Sequence, residues 1–264
     1  MPNRLLSLAA GCVLDLDPVA TVEAAAAAGF DAAGLWFDAA TWTSATTSGV
    51  LRALAATGID ALDIEPLIYG RGDLPVEALL DAAAATGARF VLTCSGPAAV
   101  DDFLPQFESL CALASDRAPQ ATITLEFLPI FTVGSLASAI DVVSRVGAPN
   151  SGILVDTLHL SRSGSTPAEL AAAVAAQPGL VPYLQLADAP EAVPADRTAL
   201  RDEALNGRLL CGDGVLPIDD VVSAVPGAPL SVELRSAALV QRYTDPFERA
   251  RVIYASFERM RTHS

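Results

Sequence analysis

Apolar runs and alanine-rich helical stretches alternate along this chain from one end to the other, and that alternation decides which folds are open to it. The runs lie near residues 4–10, 32–37, 59–65, 89–94, 122–127, 152–156, 182–187 and 229–233. Each reads as a buried strand. Between them fall helical stretches such as Val19 to Ala28, Val50 to Thr57, Val76 to Thr86 and Ser135 to Val146. Gly29, Gly58, Gly87 and Gly147 follow these stretches directly, where a glycine closes a helix. Eight strands with intervening helices in one series predict a single (β/α)8 TIM barrel over residues 1–264. Barrels of this kind run to about 250 residues as one unit. A doubly wound open sheet is the alternative, but it seldom needs eight repeats, and no Gly-x-Gly-x-x-Gly follows the first strand.

No linker interrupts the series. The longest irregular stretch, roughly Ala187 to Ile218, holds prolines, arginines and the turn Cys211-Gly-Asp-Gly. A loop of that length after the seventh strand is expected to cover the barrel mouth. The tail from Tyr243 to Arg261 reads as the eighth helix, with a dimer surface as the other use of its arginines and aromatics. Arg4 and Leu5 to Cys12 faintly resemble a lipoprotein leader. The short apolar stretch runs on into Val-Leu-Asp-Leu-Asp, however, and reads as the first strand. No segment is long and uncharged enough to span a membrane.

Charge and residue usage remove several function classes. The net charge of −15 argues against nucleic acid, whose phosphates call for a basic surface, and is read mainly as solubility. All 16 basic residues are arginine. Without lysine there is no Schiff base, no pyridoxal-phosphate attachment and no P-loop. The two histidines, His159 and the penultimate His263, exclude zinc sites built on several histidines and leave only His159 for a Ser-His-Asp arrangement. The cysteines, at 12, 94, 111 and 211, form no Cys-x-x-Cys pair and read as reduced thiols of a cytoplasmic protein. Cys94 ends a strand and faces the question of a nucleophile's role, which needs a lowered pKa.

Four strands in the second half end on an oxygen ligand. Thr122-Ile-Thr-Leu-Glu126, Gly152-Ile-Leu-Val-Asp156, Pro182-Tyr-Leu-Gln185 and Pro229-Leu-Ser-Val-Glu233 each carry an apolar run to a polar residue. In a closed parallel barrel those ends meet at one mouth. Three carboxylates and an amide brought together repel unless something positive lies between them, and a divalent metal is the natural occupant. An oxygen set without thiolates suits one Mn²⁺ or Mg²⁺, with Co²⁺ as a substitute. His159, three residues after Asp156, points into the same mouth if the strand gives way to a short turn. Glu65 at the end of Leu-Asp-Ile-Glu reads as a substrate hydroxyl partner, and Trp36 as an apolar wall, with strand-end and core roles as the plain alternatives. Arg208 in the long loop suits a carboxylate or phosphate clamp, and Arg162 and Arg197 are similar but weaker cases. Asp188 is expected to support the ligands.

These segments resemble the sugar phosphate isomerase/epimerase group of xylose-isomerase-like barrels, over nearly the whole chain. The resemblance is carried by Thr-Leu-Glu126, Leu-Val-Asp156-Thr-Leu-His159, Tyr-Leu-Gln185-Leu-Ala-Asp188-Ala-Pro, Arg208-Leu-Leu-Cys-Gly-Asp-Gly and Ser-Val-Glu233. It implies one divalent metal held by Glu126, Asp156, Gln185 and Glu233, with the two glutamates also serving as acid and base. It implies that His159 binds a substrate oxygen. The chain departs from the group's pattern in two places. The third ligand is often histidine in the epimerases, and the loop glycine-acid-glycine usually follows proline rather than Cys211. A glutamine as third ligand also occurs in the dehydratase branch, such as the enzymes acting on 3-dehydroshikimate. DNA-repair endonucleases on the same barrel need many histidines, which this chain lacks.

The expected activity is therefore isomerisation or epimerisation of a small keto sugar or polyhydroxy ketone through a metal-stabilised enediolate. Dehydration of a cyclic keto compound, 3-dehydroshikimate or a keto-inositol, shares the first step and is the alternative. A non-catalytic binding barrel is the third. The expected partner is a small-molecule keto substrate, with homo-oligomerisation left open, and no lysine or phosphate loop argues for a phosphorylated one.

Overall fold

The computed structural model describes residues 4–70 and 74–263, the side chains of residues 261–263 excepted. His263 and the Arg261 end of the tail thus have no described side chain. Eight parallel strands close into one barrel in sequence order, with β1 pairing β8. They are β1 (Leu6–Leu8), β2 (Ala32–Trp36), β3 (Asp60–Ile68), β4 (Phe90–Cys94), β5 (Thr122–Glu126), β6 (Ser151–Asp156), β7 (Leu184–Leu186) and β8 (Leu230–Val232). The helices are α1 (Pro18–Ala28), α2 (Ser44–Thr57), α3 (Val76–Thr86), α4 (Val100–Arg117), α5 (Leu136–Val146), α6 (Thr157–Arg162), α7 (Pro167–Ala176), α8 (Arg197–Asn206), α9 (Ile218–Ala224), α10 (Ala237–Arg242) and α11 (Pro246–His263). No helix among the described residues is long and apolar enough to cross a membrane.

The glycine stops act as their positions predict. Gly29 and Gly147 take φ of 103° and 62° at the ends of α1 and α5, a conformation that a side chain disfavours. The main core lies between strands and helices, where alanines on the inner helix faces let each helix sit close to the sheet. A smaller cluster fills the barrel itself, with Leu62, Phe90, Leu92, Leu154 and Tyr183 among its members. Tyr183 stacks on Phe90 with ring centroids 4.5 Å apart.

Two expectations need correction. Glu65 does not end its strand, because β3 runs on to Ile68 through the cis Glu65–Pro66 peptide. Pro66 reads as a stop in sequence, yet a bulge that shifts the β3–β4 register between Ile64 and Leu67 accommodates it. The stretch from Ala187 to Ile218 is not one irregular loop. Asp196 accepts from Ala199 N at 2.9 Å and starts α8, whose polar sequence hid its helical period. The tail from Tyr243 is a single helix as read, α11, with the short α10 lying just before it. Arg249 of α11 is buried, donates to Cys12 O and Tyr243 O at 3.1 and 2.9 Å, and pairs with Asp15, tying the last helix to the first loop.

Candidate active site

The C-terminal strand ends do converge. Glu126 closes β5, Asp156 closes β6, Gln185 lies in β7 and Glu233 is one residue past β8. All four are buried. Register pairs Asp156 with Gln185 across β6–β7, and Gln185 with Ser231, two residues before Glu233, across β7–β8. Glu126, Glu233, His159, Arg208, Glu65 and Trp36 line one cavity of about 360 Å³ at this end, whereas Arg162 and Arg197, the weaker candidates, do not.

Asp156 organises the centre. Its Oδ1 accepts from Leu158 N and His159 N at 2.7 and 3.1 Å and so caps α6. That cap turns the chain sharply after β6 and delivers the buried His159 imidazole to 3.6 Å from Glu126 Oε1. Asp156 Oδ2 accepts from Arg208 Nη1 at 2.6 Å. Arg208 also reaches Glu233 Oε2 at 3.0 Å through Nη2, and its Nε donates to Ala204 O at 3.0 Å. The loop arginine expected to clamp a substrate anion is thus a bridge between two of the barrel's own carboxylates.

Burial dominates the electrostatics. It pushes Glu126 well above the usual carboxylate range, with Glu233 and Asp156 adding repulsion. Glu233 is raised for the same first reason, against the pull of Arg208. Asp156 goes the other way: burial raises it, but Arg208 and His159 hold it below its ordinary value. Burial lowers His159 to about 4, so its imidazole is neutral at pH 7. Cys94 donates to Glu126 Oε2 at 3.4 Å, and burial pushes its thiol well up, which removes it as a nucleophile.

The donor set fits a divalent cation. Glu126, Asp156 and His159 each offer an atom within 4.8 Å of the others. Both side-chain atoms of Gln185, and Oε1 of Glu65, are buried without a hydrogen-bond partner, although such groups normally have one. His159, expected to touch substrate, stands among the ligand atoms, whereas Glu233 is drawn to Arg208.

The remaining arginines and Asp188 do other work. Arg162 forms a two-pronged pair with Glu203 at 2.7 and 2.8 Å, and Arg197 donates to Ile130 O; both pin α8 over the mouth. Asp188 accepts from Ala189, Gly212, Gly214 and Leu216 N at 2.9 to 3.0 Å, and its backbone pairs with Leu209. It supports the turn behind Arg208 rather than Gln185, and explains the Gly-Asp-Gly motif: a Cβ on Gly214 would lie 2.3 Å from Ala189 O. Arg201 and Arg235 also line the cavity and were not foreseen. Arg235 is legible as the second residue after Glu233, but Arg201 only once α8 is known to be a helix.

With that geometry in place, a family model described as a xylose isomerase-like TIM barrel matches residues 22–262. The chain belongs to that family. No curated protein matches it by sequence. Among solved structures, a xylose isomerase-like TIM barrel/4-hydroxyphenylpyruvate dioxygenase fusion protein superposes with a TM-score of 0.81 at 20% identity. The match covers 99% of this chain but 44% of the fusion protein, so this family member spans less than half of that relative. The IolI protein with a bound zinc atom gives 0.75 at 15%, covering 97% of both chains. A probable 3-DHS dehydratase, AsbF of Bacillus anthracis, gives 0.75 at 15%, covering 96% of this chain and 98% of its own. At these identities the likeness is one of fold.

Proposed function

We propose that this family member is a divalent-metal-dependent enzyme that abstracts a proton next to the carbonyl of a small keto compound, isomerising or epimerising it. The observation that carries the reading is that Glu126, His159 and Glu233 line one cavity, with Asp156 within ligand distance of Glu126 and His159 and Gln185 buried without a partner. Glu126, Asp156 and His159, with Gln185 and Glu233 beside them, would hold the metal. A divalent ion held there would supply Lewis acidity towards a substrate carbonyl. Mn²⁺ or Mg²⁺ suits the oxygen-rich set, and the zinc of the IolI structure supports a divalent ion in general.

The protein's own groups handle the proton. Glu126 on β5 and Glu233 after β8 stand on separated parts of the barrel wall, and so approach a bound carbon from different sides. One removes the α-proton and the other returns it to the opposite face or to the neighbouring carbon. Helix α8, which lines the cavity through Arg201, Ala204 and Leu205, shields the mouth from water.

Dehydration of a cyclic keto compound is the second reading. It is favoured by one wall of the cavity, where Pro66, Ile68, Leu92, Leu128, Ile130 and Phe131 offer a ring face no hydroxyl partners. The probable dehydratase assignment of the Bacillus anthracis structure agrees with it. A small-molecule substrate is the partner in either case, and four free, buried cysteines suit a cytoplasmic setting.

The deciding measurement is metal content after Mn²⁺ loading and desalting, for wild type, Asp156→Asn and Glu233→Gln. About one ion per chain in the wild type and loss in both variants is the expected result. Keto sugars and cyclic keto acids would then be screened, dehydration being recognised by an ultraviolet-absorbing product. A wild type that retains no metal would sink the enzyme reading and favour a binding barrel.

A further inference from the structure

Three of the chain's 16 arginines line this single cavity, in a protein whose net charge is −15. Arg208 is taken up by Asp156 and Glu233. Arg201 and Arg235 are not: neither forms a hydrogen bond from its guanidinium or an ion pair among the described residues. An arginine without a carboxylate partner is ordinary on a solvated surface. Two of them turned into the mouth of a pocket already served by a third need another explanation.

The backbone of Arg201 and the side chain of Arg235 are placed by their surroundings. Arg201 lies on the face of α8 that also brings Ala204 and Leu205 to the cavity, and Arg197 and Glu203 anchor that helix towards its two ends. Arg235 lies over the Trp36 ring, with its guanidinium carbon 6.0 Å from the centroid. Gly11 leaves room for its stem, since a Cβ there would meet Arg235 Cγ at 3.3 Å. Glu65 and Glu233 are near enough to Arg235 to act on each other electrostatically, but Glu233 already has Arg208 as its contact partner.

We propose that Arg201 and Arg235 form an oxyanion-binding subsite at the mouth, so that the substrate is a keto compound bearing a carboxylate or a phosphate. The inference rests on the reading of this cavity as the place where a keto substrate binds. Its chemical logic is local. An acidic protein repels anions at long range, and a neutral sugar needs no cation beyond the metal. Buried glutamates at the floor would also push an anion away, so a substrate with one acidic group is oriented: the anion goes to the arginines and the carbonyl end goes down to Glu126 and Glu233. The apolar wall then receives the carbon skeleton between them. Guanidinium forks match either planar carboxylate or phosphate oxygens, and the two sources separate by experiment.

The test is isothermal titration calorimetry of Mn²⁺-loaded protein with benzoate and, separately, inorganic phosphate. Wild type is compared with Arg201→Gln, Arg235→Gln and the double variant. Since neither guanidinium is in an ion pair, all three should fold, which a thermal melt by circular dichroism checks. Saturable binding of either probe is expected, about tenfold or more weaker in each single variant and lost in the double one. Benzoate binding points to a carboxylate substrate, phosphate binding to a phosphorylated one. A wild type that binds neither, or a double variant that binds like wild type, overturns the proposal. Metal content of the same samples separates this from the reaction itself. Metal without anion binding defeats the subsite and leaves the enediolate chemistry standing; anion binding without metal does the reverse.

Discussion

Asp188 offers a sharp test because its whole carboxylate is surrounded by donors. Four backbone N–H groups reach it, from Ala189 and Leu216 at Oδ1 and from Gly212 and Gly214 at Oδ2, all at 2.9 to 3.0 Å. Asp188→Ala frees three long-range donors. Gly212 is exposed and Gly214 half-buried, so water can take over there at about 1 kcal/mol each. Leu216 is buried, and stranding its N–H costs about 2 kcal/mol more. The expected loss is about 4 kcal/mol. Asp188→Asn is the more revealing variant. Its amide has one acceptor oxygen, and whichever way it is turned, the NH₂ group meets donors. It should lose about 2–3 kcal/mol despite matching the shape of Asp. Urea unfolding at pH 7, followed by far-ultraviolet circular dichroism, measures both, and amide exchange at residues 209–216 should accelerate. An Asn variant within about 0.5 kcal/mol of wild type would refute the all-donor description of this turn, and with it the account of how Arg208 is positioned.

Two further outcomes follow from the buried charges. Arg208→Met leaves Asp156 and Glu233 without their bridge, so metal-free protein should lose about 3–5 kcal/mol. Added Mn²⁺ should then raise the melting temperature more in the variant than in wild type, because a cation replaces the lost one; equal shifts in a thermal-shift titration would count against it. Asp63 gives a pH dependence. Burial, resisted by the Tyr183 hydrogen bond of 2.9 Å, raises it from 3.8 to about 7. The folded state therefore keeps a proton that the unfolded state sheds, and this group's contribution is whole below about pH 4 and is lost as pH rises towards 7. Asp63→Asn is neutral throughout, so its stability relative to wild type should grow between pH 4.5 and 7.5, by on the order of a few kcal/mol. A flat difference in urea unfolding would show that Asp63 ionises freely inside the barrel.

The barrel was legible because its signals are local: short apolar runs, and glycines such as Gly29 and Gly147 where a helix must stop. The convergence of Glu126 and Asp156 was legible for the same reason, since both end their runs and strand ends share one mouth. What escaped depends on tertiary context. The continuation of β3 past Pro66 needs a bulge that no propensity announces. Helix α8 has so polar a sequence that its period gives little contrast. Most of all, the repulsion among carboxylates suggested a metal, while Arg208, 52 residues on from Asp156, reads in sequence as a clamp for a substrate anion. Only the closed barrel brings that charge to the centre, and it makes the arrangement of acids tolerable to the folded chain in its own right.

The division of labour within Asp156 has a consequence for how this position can change over time. One oxygen starts α6 by accepting two backbone amides, and the other meets Arg208. Asn could keep the first duty but brings no charge to the second. Glu keeps the charge but reaches one methylene too far to cap the turn. In a library of all twenty amino acids at this codon, selected separately for folding and for turnover, the two tolerated sets should overlap at a single letter. Such a position is closed to gradual drift: a lineage that leaves aspartate there loses, in one step, either the charge that meets Arg208 or the turn that carries His159.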